Sequence, residues 1–234
     1  MPVYQLPEEI IFPPTTHAEP DGLLAVGGDL SAERLLTAYQ KGLFPWYSPG
    51  DPILWWTPDP RFVLFPEQLH VSRSAKRLMK KNPFHYTYNT AFQQVINYCK
   101  TVPRDGLEGT WITKEMEEAY LHLHELGHAV SVEVWQDETL VGGVYGVIIG
   151  KVFFGESMFS LVPNASKLGI IHWVMYLKSQ NFRIIDCQVY SRHMESLGAV
   201  SINRKKFEQL LKTSVSQPSV QTLWNKNCLI PKTK

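Results

Sequence analysis

The chain has 234 residues, of which 44% are hydrophobic and 19% charged, with a formal net charge of +1. This composition is typical of an ordinary globular protein that can bury a full core in one or two domains. There is no stretch of about 18 apolar residues and no basic segment followed by an apolar one at the start, so we expect a cytoplasmic protein without a membrane span. The three widely spaced cysteines and the eight histidines predict neither a disulfide framework nor a metal site.

Residues 1–60 are rich in proline and glycine and are predicted to form a small N-terminal domain. In this region Ser31 is well placed to cap a helix, and Gly42 to end it.

Residues 44–60, called the strap below, contain five prolines together with Trp46, Trp55 and Trp56. The prolines fix backbone angles and remove N–H donors, so we expect neither a helix nor a central strand here. The strap is then either a preformed wall for a flat ligand or a connection whose tryptophans fill the core.

Residues 61–234 are predicted to form a second, larger domain. Helices are expected at residues 73–81, 90–100, 113–126, 165–180 and 204–212, with Ser72 capping the first and Thr113 the third. Strands are expected at 62–65, 129–135, 140–149, 151–160 and 184–190, and the three between 129 and 160 should form an antiparallel meander. This order predicts an α+β fold with a mainly antiparallel central sheet and flanking helices, similar to acyltransferases of the N-acetyltransferase type.

The first helix of this domain has a strongly basic face. Its basic residues follow helical spacing and lie on one side: Arg73, Lys76, Arg77, Lys80 and Lys81. No acidic residue occurs between Glu67 and Asp105. A solvated lysine-rich face is the simpler interpretation, but this missing counter-charge favours binding to a phosphate backbone.

Two strand-like segments carry polar groups among apolar neighbours. Glu156 lies between Phe153 and Met158, and Asp186 and Gln188 share a face of the next strand. Strict alternation would place Glu156 and Met158 opposite Phe153, unless Gly155 introduces a bulge. These polar groups are either catalytic or parts of a network that holds the sheet together.

Long segments of the chain closely resemble the bacterial leucyl/phenylalanyl-tRNA–protein transferases. The resemblance covers essentially the whole chain, in residues 22–30, 44–60, 108–112, 154–159 and 185–188. It implies transfer of leucine or phenylalanine, and less efficiently methionine, from aminoacyl-tRNA to proteins with N-terminal arginine or lysine, which marks them in the N-degron pathway. It also implies action in the cytoplasm without metal or coenzyme; we expect a monomer.

The alternatives are a coenzyme A-dependent N-acyltransferase and a non-catalytic RNA-binding protein. Residues 161–167 lack the glycine-rich turn that cradles coenzyme A phosphates, which disfavours the first.

The resemblance also implies a set of site residues. Trp46 and Trp111 are expected at the 3′-terminal adenosine, with Tyr39 and Tyr120 nearby, and Phe153, Gly155, Met158 and Trp173 around the donor amino acid. The family more often has phenylalanine at the position of Trp173 and methionine at that of Val144, so we expect a reshaped donor pocket. Trp55 and Trp56 are expected to seat the strap against the second domain.

Three residues are predicted to perform the chemistry. Asp186 and Gln188 would orient and deprotonate the acceptor amine, with Asp186 holding Gln188 through a hydrogen bond, while Glu156 would provide negative charge. Water or the tRNA remains an alternative proton acceptor.

Overall fold

The computed structural model describes residues 3–81, 83–103 and 110–217. Residues 108 and 109 of one family-like segment lie outside this range, as do Cys228 and the part of the basic C-terminal region after residue 217.

The helices of the described residues lie close to the predicted positions. They are α1 (Ala32–Gln40), α2 (Arg73–Lys81), α3 (Phe92–Thr101), α4 (Lys114–Glu125), α5 (Ala165–Ser179), α6 (Arg192–Glu195) and α7 (Arg204–Val215). The hydroxyls of Ser31 and Thr113 accept hydrogen bonds from first-turn N–H groups, which confirms both as N-caps. Gly42 follows α1 with φ +78°, as its position predicted. The short helix α6 was not predicted.

The strands of the described residues form two sheets. They are β1 (Tyr4–Leu6), β2 (Leu23–Gly27), β3 (Phe44–Pro45), β4 (Leu54–Trp56), β5 (Arg61–Leu64), β6 (His85–Tyr88), β7 (Ala129–Gln136), β8 (Thr139–Ile149), β9 (Val152–Ser160), β10 (Ile184–Gln188) and β11 (Val200–Ile202). The larger sheet has the order β11-β5-β10-β9-β8-β7-β6 and the smaller one β1-β2-β4-β3.

The α+β fold with a mainly antiparallel sheet is confirmed. Strands β7, β8 and β9 form the predicted antiparallel meander, and β10 returns parallel to β9 after the crossover through α5. The strands β1, β2, β6 and β11 were missed, because each has only three to five residues and owes its pairing to distant neighbours.

The exclusion of a central strand from the strap was wrong. Strand β4 is an interior strand between β2 and β3. Its three residues contain no proline and keep their N–H groups, while Pro52 and Pro58 flank the strand rather than interrupt it.

Two apolar clusters cover the larger sheet. One lies under α5 and includes Leu168 and Val174. The other lies under α3 and α4 and extends to α1, where Leu35 shares a cluster with Tyr145 and Phe154 of the larger sheet. The N-terminal region therefore packs directly against the larger sheet, while a domain boundary near residue 60 stays a prediction. Within the described residues, no helix is both long and apolar enough to traverse a membrane.

Candidate active site

A cavity opens where β9 and β10 stop pairing. Their parallel ladder runs from Ile184 opposite Val152 to Asp186 opposite Phe154. Beyond it the strands separate around a cavity of about 510 Å³. Its lining includes Phe44, Pro45, Trp46, Trp111, Val144, Phe153, Gly155, Glu156, Ser157, Met158, Ser166, Ile170, Ile185, Asp186, Cys187, Gln188, Val189, Ser191, His193 and Met194.

A β-bulge places Glu156 at the cavity. On β8, Tyr145 pairs with Ser157 and the next residue, Gly146, pairs with Gly155, so Glu156 is the extra residue. Gly146 is required there, because a Cβ would lie 2.1 Å from the carbonyl oxygen of Phe154. The bulge also resets the alternation of β9, and both Phe153 and Met158 line the same cavity.

The Glu156 carboxylate accepts three hydrogen bonds. Its Oε1 accepts from the hydroxyl of Tyr39 at 2.7 Å and from Nε2 of Gln188 at 2.9 Å, and its Oε2 accepts from the hydroxyl of Tyr120 at 3.0 Å. The two tyrosine hydroxyls also lie within hydrogen-bond distance of each other. Each hydroxyl has one proton, so all three hydroxyl contacts are hydrogen bonds at once only when the carboxyl group of Glu156 is itself protonated. Burial is the largest influence and raises the pKa of Glu156 to about 7, and the negative charge of Asp186 adds to this while the three donors oppose it. The carboxyl group can therefore gain or lose a proton near neutral pH.

Asp186 is fully buried and forms a two-pronged ion pair. Its Oδ1 accepts from Nε of Arg61 at 2.8 Å and its Oδ2 accepts from Nη2 at 2.6 Å. Oδ1 also accepts from the main-chain N–H of Gln188 at 2.9 Å. The hydrogen bond predicted between Asp186 and Gln188 is present, but it reaches the main chain, whereas the Gln188 side chain bonds to Glu156. Cys187, between them, also lines the cavity, and burial raises the pKa of its thiol.

Much of the remaining cavity surface is apolar. Below, the polar wall means Glu156, Asp186 and Gln188, and the apolar floor means Val144, Phe153, Met158, Ile170 and Ile185. The floor is closed from behind by Trp173 of α5, which is fully buried and packs edge-on against Phe153 at 5.4 Å between ring centroids.

Comparisons with known proteins decide the family. The model described as leucyl/phenylalanyl-tRNA protein transferase matches residues 63–212, and that of the family's N-terminal domain matches residues 28–59. The leucyl/phenylalanyl-tRNA–protein transferase of Syntrophus aciditrophicus is 53% identical over 225 residues, covering 96% of this chain and 94% of that protein. That of Flavobacterium johnsoniae is 52% identical over 211 residues, covering 90% of this chain and 100% of that protein.

The chain belongs to the leucyl/phenylalanyl-tRNA–protein transferase family.

Among solved structures, a GCN5-related N-acetyltransferase from Kribbella flavida is similar at a TM-score of 0.37 and 11% identity, over 71% of this chain and 59% of that one.

The structure separates the residues that family resemblance grouped together. Trp46 and Trp111 both line the cavity, and Trp46 is 46% exposed. Tyr39 and Tyr120 are fully buried and lie behind Glu156 rather than on the cavity surface. Trp173 was predicted to line the donor pocket; it instead lies one layer behind, because Phe153 fills the space in front of it.

The remaining strap tryptophans form hydrogen bonds within the N-terminal region, while their packing against the second domain stays a prediction. Trp55 is fully buried against Phe12, at 5.0 Å between ring centroids, and its Nε1 donates to the carbonyl of Gly27. These partners belong to the N-terminal region, not to the second domain. Trp56 instead supports the transferase's exposed tryptophan, since its Nε1 donates to the carbonyl of Trp46 at 2.6 Å.

The basic face of α2 lies at the surface. Its members, Arg73, Lys76, Arg77, Lys80 and Lys81, are all exposed, while Ala75 packs inward. Ser72 caps this helix as predicted, accepting from the N–H of Ala75 at 3.2 Å.

Several site residues were missed from the sequence. Arg61 could have been found from one feature of the sequence: it is a charged residue at the start of an otherwise apolar strand, where a buried charge needs a partner. Ile170, Ile185 and His193 line the cavity without any sequence signal that separates them from ordinary core or surface residues. In the described part of the chain, no group of three or more His, Cys, Asp or Glu side chains is arranged to hold a metal ion.

Proposed function

We propose that this protein transfers leucine or phenylalanine, and less efficiently methionine, from aminoacyl-tRNA to the α-amine of proteins that begin with arginine or lysine. Family membership makes the chain an aminoacyltransferase. The observation that carries its chemistry is the position of Glu156, whose titratable carboxyl group faces the same cavity as the apolar floor. The floor receives the donor side chain, so that its ester carbonyl lies near the polar wall.

The acceptor amine attacks the ester carbonyl carbon. A C–N bond forms, the bond from carbonyl carbon to the ribose oxygen of the tRNA breaks, and that oxygen leaves with a proton. The pKa of an α-amine is about 8, so a modest base is sufficient near neutral pH. Glu156 attracts the cationic amine and takes its proton. Gln188 orients the amine through its amide oxygen, because its Nε2 already donates to Glu156.

Asp186 has a supporting role in this scheme. Both of its carboxylate oxygens accept from Arg61, and one also accepts from the N–H of Gln188. It therefore fixes Gln188 rather than taking the proton itself. An activated ester reacts readily with an amine, so positioning accounts for much of the acceleration.

The transfer assay tests this function directly. Purified protein should move labelled leucine from Leu-tRNA to a peptide that begins with arginine, and not to the same peptide beginning with glycine. Equal transfer to both peptides would contradict the acceptor preference, and no transfer to either would contradict the function.

The cavity rim provides a test of tRNA recognition. We propose that Trp46 and Trp111 hold the terminal adenosine, since Trp46 is the exposed ring at the mouth. Stacking of a base on an aromatic ring contributes about 1 to 3 kcal/mol. Trp46→Ala should therefore raise KM for Leu-tRNA by about 10- to 100-fold, leave KM for the peptide unchanged and preserve the melting temperature. An unfolded variant would instead assign Trp46 to the core.

The face of α2 is proposed to bind the tRNA backbone. Lys76→Glu and Lys80→Glu should each raise KM for Leu-tRNA and lower the salt dependence of binding by about one unit of slope. Lys205→Glu, an equal charge change at an exposed position of α7, is the matched control. If the control weakens binding as strongly as the α2 variants, the effect is one of net charge and not of this face.

A further inference from the structure

A buried arginine supports the polar wall from behind. Arg61 is only 1% exposed and begins β5, the neighbour of β10. Its guanidinium meets both oxygens of Asp186, at 2.8 Å and 2.6 Å. Two parallel charge-assisted hydrogen bonds fix the carboxylate in position and in plane, which a single contact cannot do.

The surroundings of Arg61 fit a planar guanidinium. Its central carbon lies 4.8 Å from the ring centroid of Phe44 and 4.7 Å from that of Phe207. Phe44 belongs to the small sheet and Phe207 to α7, so three regions of the chain meet at this side chain. Its Nη1 is buried and has no hydrogen-bond partner among the described residues. A cation over two aromatic rings that also forms a two-pronged ion pair suits arginine better than lysine.

The ion pair is connected to the reacting groups through Gln188. This residue has φ +63°, a left-handed conformation that is unusual for a side chain other than glycine. Its N–H donates to Oδ1 of Asp186 at 2.9 Å, which supports that conformation, and its Nε2 donates to Glu156 at 2.9 Å. A shift of Asp186 would therefore move Gln188, and with it the contact to Glu156.

We propose that Arg61 is a positioning residue of the transfer reaction: it fixes Asp186, which fixes Gln188 against Glu156, and it balances the charge of Asp186 beside the cavity. This inference rests on the proposed function. It assigns a defined task to a residue that does not itself line the described cavity surface.

The charge balance has a measurable consequence. The groups facing the Glu156 carboxyl are Tyr39 from α1, Tyr120 from α4, and Gln188 with Asp186 from β10. Of these, Asp186 is negative and raises the pKa of Glu156. Without Arg61 its charge would be uncompensated, so the pKa of Glu156 would rise further and the pH at which kcat is half-maximal would move upward.

Arg61→Met should lower kcat by about 100-fold, as misplacement by about 1 Å does, with little change in KM for Leu-tRNA. The pH midpoint of kcat should rise by about one unit or more. Arg61→Lys keeps the positive charge but loses the two parallel hydrogen bonds to Asp186. The pH midpoint of kcat should therefore stay near that of the unmodified protein, while kcat falls by about 10-fold. In the double variant Arg61→Met with Asp186→Asn, the pH midpoint of kcat should return to that of the unmodified protein, because no uncompensated charge remains.

Arg34→Met is the matched control. Arg34 is also fully buried, pairs with Asp29 at 3.2 Å and donates to main-chain carbonyls of the N-terminal segment. Its loss should lower the melting temperature but leave kcat and the pH midpoint of the folded fraction unchanged.

The outcomes separate the two proposals. If unmodified protein fails to transfer leucine, the proposed function is wrong. If it transfers leucine, and folded Arg61→Met keeps both its kcat and its midpoint, Arg61 is only structural. Should Arg61→Met fail to fold, Arg61→Lys decides, because an unchanged kcat in that variant contradicts the positioning role.

Discussion

The polar wall and the apolar floor of the cavity are built by different means. Every oxygen of Glu156 and Asp186 accepts a hydrogen bond from a buried or half-buried donor, and the donors come from α1, α4, β5 and β10. The floor is held by packing alone, and its largest support, Trp173, lies one layer away from the cavity.

This difference separates reactivity from selectivity. Hydrogen bonds have narrow distance and angle requirements, so the wall has one productive arrangement. Apolar packing tolerates substitutions that conserve side-chain volume at a modest cost in stability. The floor can therefore be reshaped while the wall stays in place. We therefore expect wall variants to change kcat and pH dependence, and floor variants to change the choice of donor amino acid.

The largest expected effect is on the wall. Glu156→Gln keeps the size of the side chain but removes the proton acceptor, so kcat should fall by about 100- to 1000-fold. The ratio of kcat/KM for Leu-tRNA and Phe-tRNA should stay the same, because the floor is untouched. Glu115→Gln, at an exposed position of α4, is the control and should retain full activity. A changed donor ratio in Glu156→Gln would contradict the separation of wall and floor.

Sequence reasoning identified the residues of the polar wall but not all of the contacts that hold them in place. It identified Glu156, Asp186 and Gln188 because polar groups stand out within apolar strands. It could not supply the contact between Arg61 and Asp186, because these residues lie 125 positions apart in the sequence. The sequence allowed a bulge near Glu156 but did not predict it, because the bulge depends on how β9 pairs with Gly146 of β8.

The same distinction holds for the fold. Helix caps such as Ser31 and Thr113 are local signals, and both were predicted correctly. Strands as short as β11 carry little signal of their own and exist because β5 offers an edge. Trp173 was placed on the cavity surface because its type and family position suit a pocket, while its true depth depends on Phe153.

A second expected effect concerns stability. The pKa of Glu156 in the folded protein, about 7, lies above the ordinary glutamate value of 4.5. The protonated carboxyl therefore favours the folded state: this contribution is present in full below about pH 4.5 and is lost as the pH rises through about 7. Between these limits it amounts to about 3 kcal/mol, or roughly 6 to 12 °C in melting temperature.

Thermal unfolding of the unmodified protein and of Glu156→Gln between pH 5 and pH 8 measures this contribution. The difference in melting temperature between the two proteins should shift in favour of the variant as the pH rises. A floor variant such as Met158→Leu should follow the unmodified protein across the same range. Parallel curves for Glu156→Gln and the unmodified protein would show that Glu156 does not titrate with folding.

The smallest expected effect is on the floor. Trp173→Phe removes part of the ring behind Phe153, so that Phe153 can move back and the floor can deepen. A deeper floor accepts the longer donor side chain better, and the preference for Phe-tRNA over Leu-tRNA should rise by about 3- to 10-fold. The change is smaller than for a lining residue because it acts through Phe153. Competition between the two charged tRNAs, with each product quantified, measures this ratio.

Val174→Ala is the control for this floor variant. It opens space in the same apolar cluster, on the same helix, and Val174 is equally buried. It should lose stability as a core truncation does, while its donor ratio stays that of the unmodified protein. The pH midpoint of kcat should be unchanged in both variants, because neither alters a hydrogen bond to Glu156. A shifted midpoint in Trp173→Phe would mean that packing of the floor also sets the wall, and the two regions would then act as one unit.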